Sequence, residues 1–267
     1  MSEKQQKPWG ELQLAGWKRI WLKVGQSLPW RRLVLWWRVP LKRTLEGLVD
    51  TEIWGVRLRL LAKGNLSEQR MLFFPNLVDK QEREVLSESL KEGGRFLDIG
   101  ANAGLYTLWI ASRRLNGVSI EAFEPDSELR KRLSWNIEEN QMTGVCLWDC
   151  ALGTTEKEVG LLRGDVNLGE NSISEGGDGI RVPMRRLDLI CQTEDWQSIT
   201  AMKIDVEGHE EGVLEPFFSN VPREKWPVVV ICEDLTTGHP SPGARVLVKH
   251  GYVLSQRTRM NGVFRLE

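Results

Sequence analysis

The chain has 267 residues, of which 41% are hydrophobic and 27% charged, and its formal net charge is −1 at pH 7. These values predict a globular protein with a sizeable core and exclude an intrinsically disordered chain. Residues 1–50 carry ten Lys/Arg against four Asp/Glu, whereas the rest of the chain carries 26 against 33. Because the main body is mildly acidic, we expect no broad nucleic-acid-binding surface and no nucleic-acid partner.

The N-terminal residues are rich in tryptophan and in basic side chains, and seven of the twelve tryptophans precede residue 55. Apolar residues recur at helical spacing opposite a basic face, with Trp17, Ile20, Trp21 and Val24 on one side and Lys18, Arg19 and Lys23 on the other. This pattern predicts a basic, helical N-terminal extension over residues 1–55. Its tryptophan face either packs on the body or on a second subunit, or makes a peripheral contact with an anionic membrane surface. The sequence leaves the choice, and the oligomeric state, open.

The cysteines and the apolar runs indicate the cellular compartment of the protein. Cys146, Cys150, Cys191 and Cys232 have neither CxxC spacing nor histidines placed for zinc, so we expect reduced and mostly buried thiols. The N-terminal residues lack the uninterrupted apolar core of a signal peptide, and the apolar run at 33–37 is far too short to span a membrane. We therefore expect a cytoplasmic protein, with the inner membrane surface as the place of any peripheral contact.

From Val56 onward the sequence alternates between strand and helix patterns. Strands are predicted at 56–62, 95–100, 118–124, 144–152, 201–206 and 226–234. Helices are predicted at 80–94, 105–115, 127–140 and 210–218. The alternation predicts an α/β domain over residues 56–267, built on a doubly wound, mostly parallel sheet with ligands at the carboxyl ends of its strands. A glycine-rich stretch at 163–181 interrupts the pattern, and we expect it to help cover the substrate.

The stretch FLDIGANAGLYT, residues 96–107, has the pattern of a ligand-binding loop. An apolar strand ends at Asp98, and Gly100 and Gly104 bracket a tight turn into a helix, where glycines let a ligand approach the backbone. The GxGxxG spacing that seats a pyrophosphate is missing, which favours a ligand without one. Glu124 ends the second strand twenty residues past Gly104, where a carboxylate can accept hydrogen bonds from both ribose hydroxyls. The alternative interpretation is that Asp98 and Glu124 are ordinary polar residues at strand ends or helix caps, with no role in ligand binding.

The stretch AMKIDVEGHEEGVL, residues 201–214, places a cluster of charges at the end of a predicted buried strand. Strand alternation predicts Lys203, Asp205 and Glu207 on one face, in one line. Glu233 ends the next strand in sequence together with Asp234, and both are expected to project into the same cleft. Converging carboxylates there would bind a divalent cation or hold a hydroxylated substrate directly. The structural alternative is an ion network centred on Lys203.

His209 is one of only three histidines in the chain. With an ordinary pKa of about 6.5, it is the natural candidate for a proton acceptor at neutral pH. A solvent-facing histidine without a catalytic role is the alternative. Glu210 and Glu211 follow in the first turn of the predicted helix, where the helix dipole favours anions without any catalytic function.

The chain resembles the FkbM family of S-adenosylmethionine-dependent methyltransferases. The resemblance is carried by FLDIGANAGLYT, AFEPD, the ALG that follows the third predicted strand, RLDLI and above all MKIDVEGHE. It extends from about residue 56 to the end, and residues 1–50 lie outside it. The resemblance implies a class I, Rossmann-like methyltransferase fold and transfer of the cofactor methyl group to a hydroxyl oxygen of a sugar, polyketide or similar metabolite.

The resemblance also assigns cofactor-binding residues. It implies that the methionine part of S-adenosylmethionine lies against Asp98, Gly100, Asn102 and Gly104, with Thr107 at the end of the same motif. Glu124 would hold the ribose, and the segment from Asp149 to Ala151 would approach the adenine.

The function expected from these observations is an S-adenosylmethionine-dependent O-methyltransferase acting on a small-molecule or glycan hydroxyl. Its candidate catalytic residues are Asp205, Glu207, His209 and Glu233. A divalent cation, Mg²⁺ or Mn²⁺, is an option, but metal-independent action is favoured and no residue is assigned as a metal ligand, because nothing in the sequence fixes a full ligand set. The alternatives are a nucleotide-dependent oxidoreductase, which the missing GxGxxG disfavours, and a non-catalytic nucleoside-binding or scaffold module.

Overall fold

The structure is a computed structural model that describes residues 7–28, 38–164, 171–174, 176, 178–234 and 239–267. The α-helices are α1 (Gly16–Ser27), α2 (Val39–Thr44), α3 (Leu66–Phe73), α4 (Lys80–Ser89), α5 (Leu105–Ser112), α6 (Ser127–Glu139), α7 (Leu187–Thr193), α8 (Glu210–Asn220) and α9 (Pro242–Lys249). A short 3-10 helix spans Arg223–Lys225. Within the described ranges, every helix is too short or too polar to cross a bilayer. The apolar run at 33–37 lies outside those ranges.

Thirteen strands are described. They are β1 (Leu48–Ile53), β2 (Val56–Leu61), β3 (Gly94–Ile99), β4 (Val118–Phe123), β5 (Val145–Trp148), β6 (Ala151–Leu152), β7 (Lys157–Leu162), β8 (Ser172–Ser174), β9 (Ile180–Arg185), β10 (Ala201–Ile204), β11 (Val229–Glu233), β12 (Tyr252–Arg257) and β13 (Asn261–Leu266).

Seven strands form the central sheet in the order β5-β4-β3-β10-β11-β13-β12. β13 runs antiparallel to both of its neighbours, and the pairs from β5 to β11 are all parallel. The predicted doubly wound, mostly parallel sheet is therefore confirmed. The strand order reverses between β3 and β10, because the chain proceeds from β3 to β5 on one side and from β10 to β11 on the other. In sheets of this kind, ligands bind outside the carboxyl ends of the strands at that reversal.

Side chains of the sheet alternate between two hydrophobic cores. Ala201, Val229 and Ile231 lie in one core, whereas Met202 and Val230 lie in the other. Successive strand residues point to opposite faces, so strands that are covered by helices on both sides must be apolar at nearly every position. This explains why the sequence of β11 is an uninterrupted apolar run rather than an alternating one.

The third predicted strand, 144–152, is divided in two by the structure. β5 ends at Trp148, and Ala151 and Leu152 form β6, which joins a separate four-stranded sheet in the order β6-β9-β7-β8. The single predicted strand is therefore wrong. Val159 and Val182 are buried with Ala151 in a small core of this second sheet, which explains why β6 leaves the central sheet. Residues 165–170, 175 and 177 of the predicted substrate-covering stretch lie outside the described residues.

The N-terminal hairpin is bound to the body by two asparagines of α6. β1 and β2 pair antiparallel, so the hairpin crosses the predicted domain boundary at residue 55, and that boundary stays a prediction. The Asn136 amide accepts a bond from Arg59 N (2.7 Å) and donates one to Arg59 O (3.2 Å). Asn140, one helical turn later, does the same with Arg57 N (2.8 Å) and Arg57 O (2.6 Å). These two side chains satisfy the open edge of β2 as a further strand would.

The two asparagines differ in burial, and this difference is testable. Asn136 is fully buried and Asn140 is half-buried. We expect Asn136→Ala to lower the free energy of unfolding by about 1–3 kcal/mol, because it strands two buried backbone groups of Arg59 without partners. Asn140→Ala should cost less, because water can replace its amide. Urea denaturation of both variants measures the difference, and an equal loss for the two would contradict this account of the hairpin.

Candidate active site

A cleft of about 580 Å³ opens at the carboxyl edge of the central sheet, at the strand reversal. Seven of the predicted site residues line it: Gly100, Asn102, Glu124, Ala151, Asp205, Glu207 and His209. The other five do not line it: Asp98, Gly104, Thr107, Asp149 and Glu233. The cleft therefore brings together the loop after β3, the end of β4 and the turn after β10, as the sequence predicts.

Gly100 and Gly104 are both required by geometry, but for different reasons. Gly100 has a φ of +77°, and a Cβ there would lie 2.0 Å from the Asp205 carbonyl oxygen. The turn after β10 thus passes against the loop after β3. Gly104 has a φ of +92°, and a Cβ there would lie 2.3 Å from the side chain of Leu133 in α6. Gly104 is accordingly a packing position behind the cleft, rather than one of its walls.

Asp98 and Thr107 hold the helix after the loop onto β3. Asp98 Oδ2 accepts hydrogen bonds from Thr107 N (2.9 Å) and from Thr107 Oγ1 (2.5 Å), and both side chains are buried. Burial raises the pKa of Asp98 to about 6, although the bonds from Thr107 and the charge of Lys203 oppose the shift. Asp98 Oδ1 is buried and has no hydrogen-bond partner among the described residues. The two residues shape the loop without lining the cleft.

Glu124 is a buried carboxyl group on the wall of the cleft. Its Oε2 accepts a hydrogen bond from Asn102 N and its Oε1 one from Asp126 N, each at 2.8 Å. Burial raises its pKa to about 7, despite these two bonds. An ionised carboxyl group has about four acceptor positions, so both oxygens can still accept a bond from a ligand. Glu124 is thus fixed in orientation and able to accept two neighbouring hydroxyl groups.

An apolar wall lies beside Glu124. Ala151 lines the cleft with Cys150 and Leu152, whereas the side chain of Asp149 is exposed and lies outside the lining. A carboxyl group that can accept bonds from two hydroxyl groups lies here next to an apolar surface, and this combination fits the ribose and adenine of S-adenosylmethionine. Of the predicted adenine segment, Ala151 is therefore brought to the cleft and Asp149 is not.

The predicted strand through Glu207 ends earlier in the structure. β10 stops at Ile204, and Glu207 (φ +51°) and Gly208 (φ +92°) form a turn in left-handed conformations. Glu210 Oε1 accepts hydrogen bonds from Val206 N (3.0 Å) and Gly208 N (3.3 Å), which holds the turn in place. The predicted line of Lys203, Asp205 and Glu207 on one strand face is therefore wrong, because alternation ceases where the turn begins.

Lys203 and Asp205 form an ion pair across the floor of the site. Lys203 Nζ lies 3.1 Å from Asp205 Oδ2; the lysine side chain is 2% exposed and the aspartate side chain 45%. Lys203 Nζ also donates to Ile204 O (3.1 Å) and lies 5.6 Å from the centre of the Tyr106 ring. Burial acts to lower the pKa of Lys203, but the charge and hydrogen bond of Asp205 outweigh it, so that the pKa is raised. The lysine-centred network is thus present, and Asp205 belongs both to it and to the cleft.

Asp205 also lies close to two other acids, Glu210 and Glu233. One carboxylate oxygen of each of the three residues lies within 4.8 Å of the other two, which is close enough for the three to hold a divalent cation. Glu210 takes the place that the sequence analysis gave to Glu207. Burial, Asp205 and Glu210 raise the pKa of Glu233. Asp234 is instead buried and paired with Arg257, at 2.8 Å.

Several residues that shape the site were not predicted. Asn65 Nδ2 donates to Asn102 Oδ1 (2.7 Å) and so ties α3 to the cofactor loop. Tyr106 donates its hydroxyl to Asp79 Oδ2 (3.1 Å), above the buried lysine. These partners are 37 and 27 residues apart in sequence, and no motif marks them.

The comparisons with known proteins agree with this geometry. The family model described as the methyltransferase FkbM domain matches residues 98–245, more than half of the chain. No curated protein matches the chain.

Three solved structures are among those to which this chain is similar. Precorrin-6y C5,15-methyltransferase of Geobacter metallireducens GS-15 is 12% identical over 69% of this chain and 86% of that chain, with a TM-score of 0.42. M. jannaschii TYW2 in complex with AdoMet is 12% identical over 84% and 88%, with a TM-score of 0.44. A SAM-dependent O-methyltransferase of Thermotoga maritima is 13% identical over 70% and 65%, with a TM-score of 0.42.

The family match covers both the loop after β3 and the turn after β10, the two segments that form the cleft. The chain therefore belongs to the FkbM methyltransferase family and is an S-adenosylmethionine-dependent methyltransferase.

Proposed function

We propose that the protein transfers the methyl group to a hydroxyl oxygen of a small-molecule or glycan acceptor. One observation carries the proposal: the cleft that contains Glu124 is lined at its other side by the carboxylates of Asp205 and Glu207 and by His209. Carboxylates accept hydrogen bonds from hydroxyl groups, and a histidine can accept a proton at neutral pH. The acidic balance of the main body supports a small acceptor rather than a nucleic acid.

The cofactor residues act by binding and orientation. S-adenosylmethionine supplies an electrophilic methyl group, whose bond to sulfur breaks as its bond to the acceptor oxygen forms. Glu124 binds the ribose hydroxyls, and the loop from Gly100 to Asn102 lies where the methionine part is expected. Holding two reactants in line can itself supply a large part of the rate enhancement.

The acceptor residues act on the hydroxyl group. Asp205 is held by Lys203 and accepts a hydrogen bond from the hydroxyl, which orients its oxygen. His209, the residue before α8, is partly exposed and lines the same cleft, so it receives the hydroxyl proton as the new bond forms. No step in this scheme requires a metal ion, and metal-independent action is part of the proposal.

We also propose that the protein is cytoplasmic and contacts the inner membrane surface through α1. The helix packs on the body through Leu22 and Gln26, whereas Trp17 is 53% and Ile20 67% exposed. The apolar pattern seen in the sequence therefore faces outward at these two positions. Tryptophan suits the membrane interface, and the basic charges of residues 1–50 suit anionic headgroups.

The first prediction concerns cofactor binding. We expect Glu124→Gln to weaken the binding of S-adenosylmethionine by about 1–3 kcal/mol, because an amide presents only one acceptor oxygen to the ribose. Ionised Glu124 accepts two hydroxyls, so wild-type affinity should rise as the pH rises through about 7, and the variant should lose this rise. Calorimetry across this pH range measures both effects. The control is Glu224→Gln, on the opposite edge of the sheet. The same affinity in Glu124→Gln and wild type would remove Glu124 from the site.

The second prediction concerns the chemical step. We expect Asp205→Asn to lower kcat at least about tenfold while cofactor affinity changes little, because Asp205 acts on the acceptor hydroxyl. The matched control is Glu211→Gln, in the first turn of α8 but outside the cleft. Thermal melting must accompany the assay, because the substitution also removes the partner of the buried Lys203.

The roles of histidine and metal are separated by pH and chelation. At saturating S-adenosylmethionine, where the titration of Glu124 no longer limits binding, His209→Ala should abolish the acidic limb of the pH–rate profile, because a proton acceptor must be unprotonated. A chelator should have little effect on the wild type, and addition of Mg²⁺ or Mn²⁺ should not increase turnover. Full activity in the chelated double variant Asp205→Asn, Glu207→Gln would leave these acids with a structural role alone.

A further prediction concerns the membrane. We expect the protein to sediment with anionic vesicles, less so at high salt, and we expect Trp17→Ala with Ile20→Ala to abolish this binding. Val248→Ala with Val253→Ala, at two exposed apolar positions elsewhere, is the control. Unchanged sedimentation of the Trp17/Ile20 variant, or equal binding to neutral vesicles, would contradict the proposal.

A further inference from the structure

A second, larger cavity lies beside the cofactor cleft and has no part in the scheme above. Its volume is about 1260 Å³. Its walls come from α3, from the start of α4 and from the turn between β12 and β13 at residues 258–260. Leu66, Phe74, Leu77 and Val78 give it an apolar part.

Two chains of contacts join this cavity to the acceptor side of the cleft. Asp79 lines the cavity and accepts the hydroxyl bond of Tyr106, whose ring lies over Lys203. Lys203 in turn holds Asp205, which lines the cleft. Two buried side chains, Tyr106 and Lys203, therefore lie between Asp79 of the cavity and the proposed acceptor carboxylate of Asp205.

The second chain of contacts runs through the backbone. Asp234 N donates to Met260 O (3.0 Å), so the turn that lines the cavity is bound to the end of β11, next to Glu233. On the cofactor side, Asn65 caps α3 and donates to Asn102 of the cofactor loop. The cavity walls therefore have fixed positions relative to both halves of the cleft.

The charge of the cavity is opposite to that of the domain around it. Four cations line it: Arg38, Arg70, Lys80 and Arg259. Two acids also line it: Asp79 accepts a hydrogen bond from Tyr106, and Glu82 accepts bonds from Thr258 Oγ1 (2.5 Å) and Asn261 Nδ2 (3.1 Å). Among the cations, Lys80 lies 3.6 Å from the exposed Glu84, and Arg38 lies over the ring of Phe74. Beyond residue 50 the chain carries more acidic than basic residues, so four cations around one cavity are more than the composition of this domain predicts.

The chemistry of these cations indicates an oxyanion. Arginine presents a planar fork of N–H donors that matches phosphate or carboxylate oxygens in pairs, and three of the four cations are arginines. They come from separate parts of the chain, α3, the residue before α2 and the β12–β13 turn, so the fold gathers them around one concave space. A concave site with an apolar part suits a small anionic molecule better than the backbone of a duplex.

We propose that this cavity holds the methyl acceptor and selects acceptors that carry an oxyanion, a phosphate or a carboxylate, in addition to the hydroxyl group to be methylated. The inference rests on the proposed function and adds the substrate class. The oxyanion binds the arginines, and the hydroxyl group extends to Asp205 in the cofactor cleft. The cavity thereby supplies binding, and the cleft supplies the chemical step.

The first test measures anion binding without catalysis. Inorganic phosphate and pyrophosphate are titrated by calorimetry into the full chain saturated with S-adenosylhomocysteine. The double variant Arg70→Gln, Arg259→Gln should bind pyrophosphate at least about tenfold more weakly than the wild type, because two charge-assisted contacts are lost. Arg265→Gln is the matched control, on the same C-terminal hairpin but at the opposite edge of the sheet, and it should bind like the wild type. Equal pyrophosphate binding in the double variant and the wild type overturns the proposal.

The second test identifies the source of the oxyanion. Methyl transfer is followed with a matched set of acceptors: a neutral hexose, its phosphate ester and the corresponding hexuronic acid. We expect a charged member to be the better substrate, and the double variant to raise its KM at least about tenfold with little change in kcat. Preference for the phosphate ester identifies phosphate as the oxyanion, and preference for the hexuronic acid identifies carboxylate. The proposal is overturned if the neutral hexose is methylated as efficiently as the charged acceptors. It is also overturned if an RNA oligonucleotide is methylated and none of the three sugars is.

The two proposals fail in different ways. If no acceptor gives an O-methyl product while S-adenosylmethionine binds and the double variant still loses pyrophosphate, the proposed O-methyl transfer is wrong and the anion preference of the cavity stands. If O-methyl products form from neutral acceptors and the double variant is unaffected, the function stands and the inference about the cavity is wrong.

Discussion

The arrangement of the site depends on one buried charge, the ammonium group of Lys203 at the end of β10. A buried ammonium is costly unless it is paired and hydrogen-bonded, and here Asp205, the Ile204 carbonyl and the face of Tyr106 surround it. The pairing fixes Asp205 at the mouth of the cleft. Because β10 lies next to β3 at the strand reversal, the same lysine is also near Asp98 under the cofactor loop. One cation thereby links the acceptor side to the cofactor side.

Much of the fold could be predicted from the sequence, because apolar residues recur with a clear period in the central strands and helices, and glycines mark the ends of these elements. The loop after β3 and Glu124 were located correctly for the same reason, since their spacing follows from the geometry of a strand, a turn and a helix. β6 was assigned to the wrong sheet, because a run of residues 144–152 with mixed polarity has no feature that marks where hydrogen bonding changes partner. The C-terminal helix α9 and strands β12 and β13 were not predicted, although the two strands form one edge of the central sheet.

The candidate site shows where local reasoning stops. Alternation placed Glu207 on the face of Asp205, but the strand ended at Ile204, and Glu210 joined the acidic cluster instead. Thr107 belongs to the motif at residues 96–107, but its hydroxyl donates a hydrogen bond to Asp98 in the protein interior. The contacts of Asn65 with Asn102 and of Tyr106 with Asp79 depend on how α3 and α4 pack, which no short stretch of sequence encodes. Motifs therefore indicate the groups that line the cleft better than the groups that hold them in place.

The asparagine clamp on the N-terminal hairpin has a consequence for the order of folding during synthesis. β1 and β2 can pair with each other as soon as they leave the ribosome, but the partners of the outer edge of β2 lie 77 and 83 residues further along the chain. Closing such long loops costs entropy and makes the contact late. Until α6 has been made, this edge has unpaired N–H and C=O groups that could recruit another strand. The nascent chain thus has an interval in which the outer edge of β2 lacks its asparagine partners, and chaperones would act on it there.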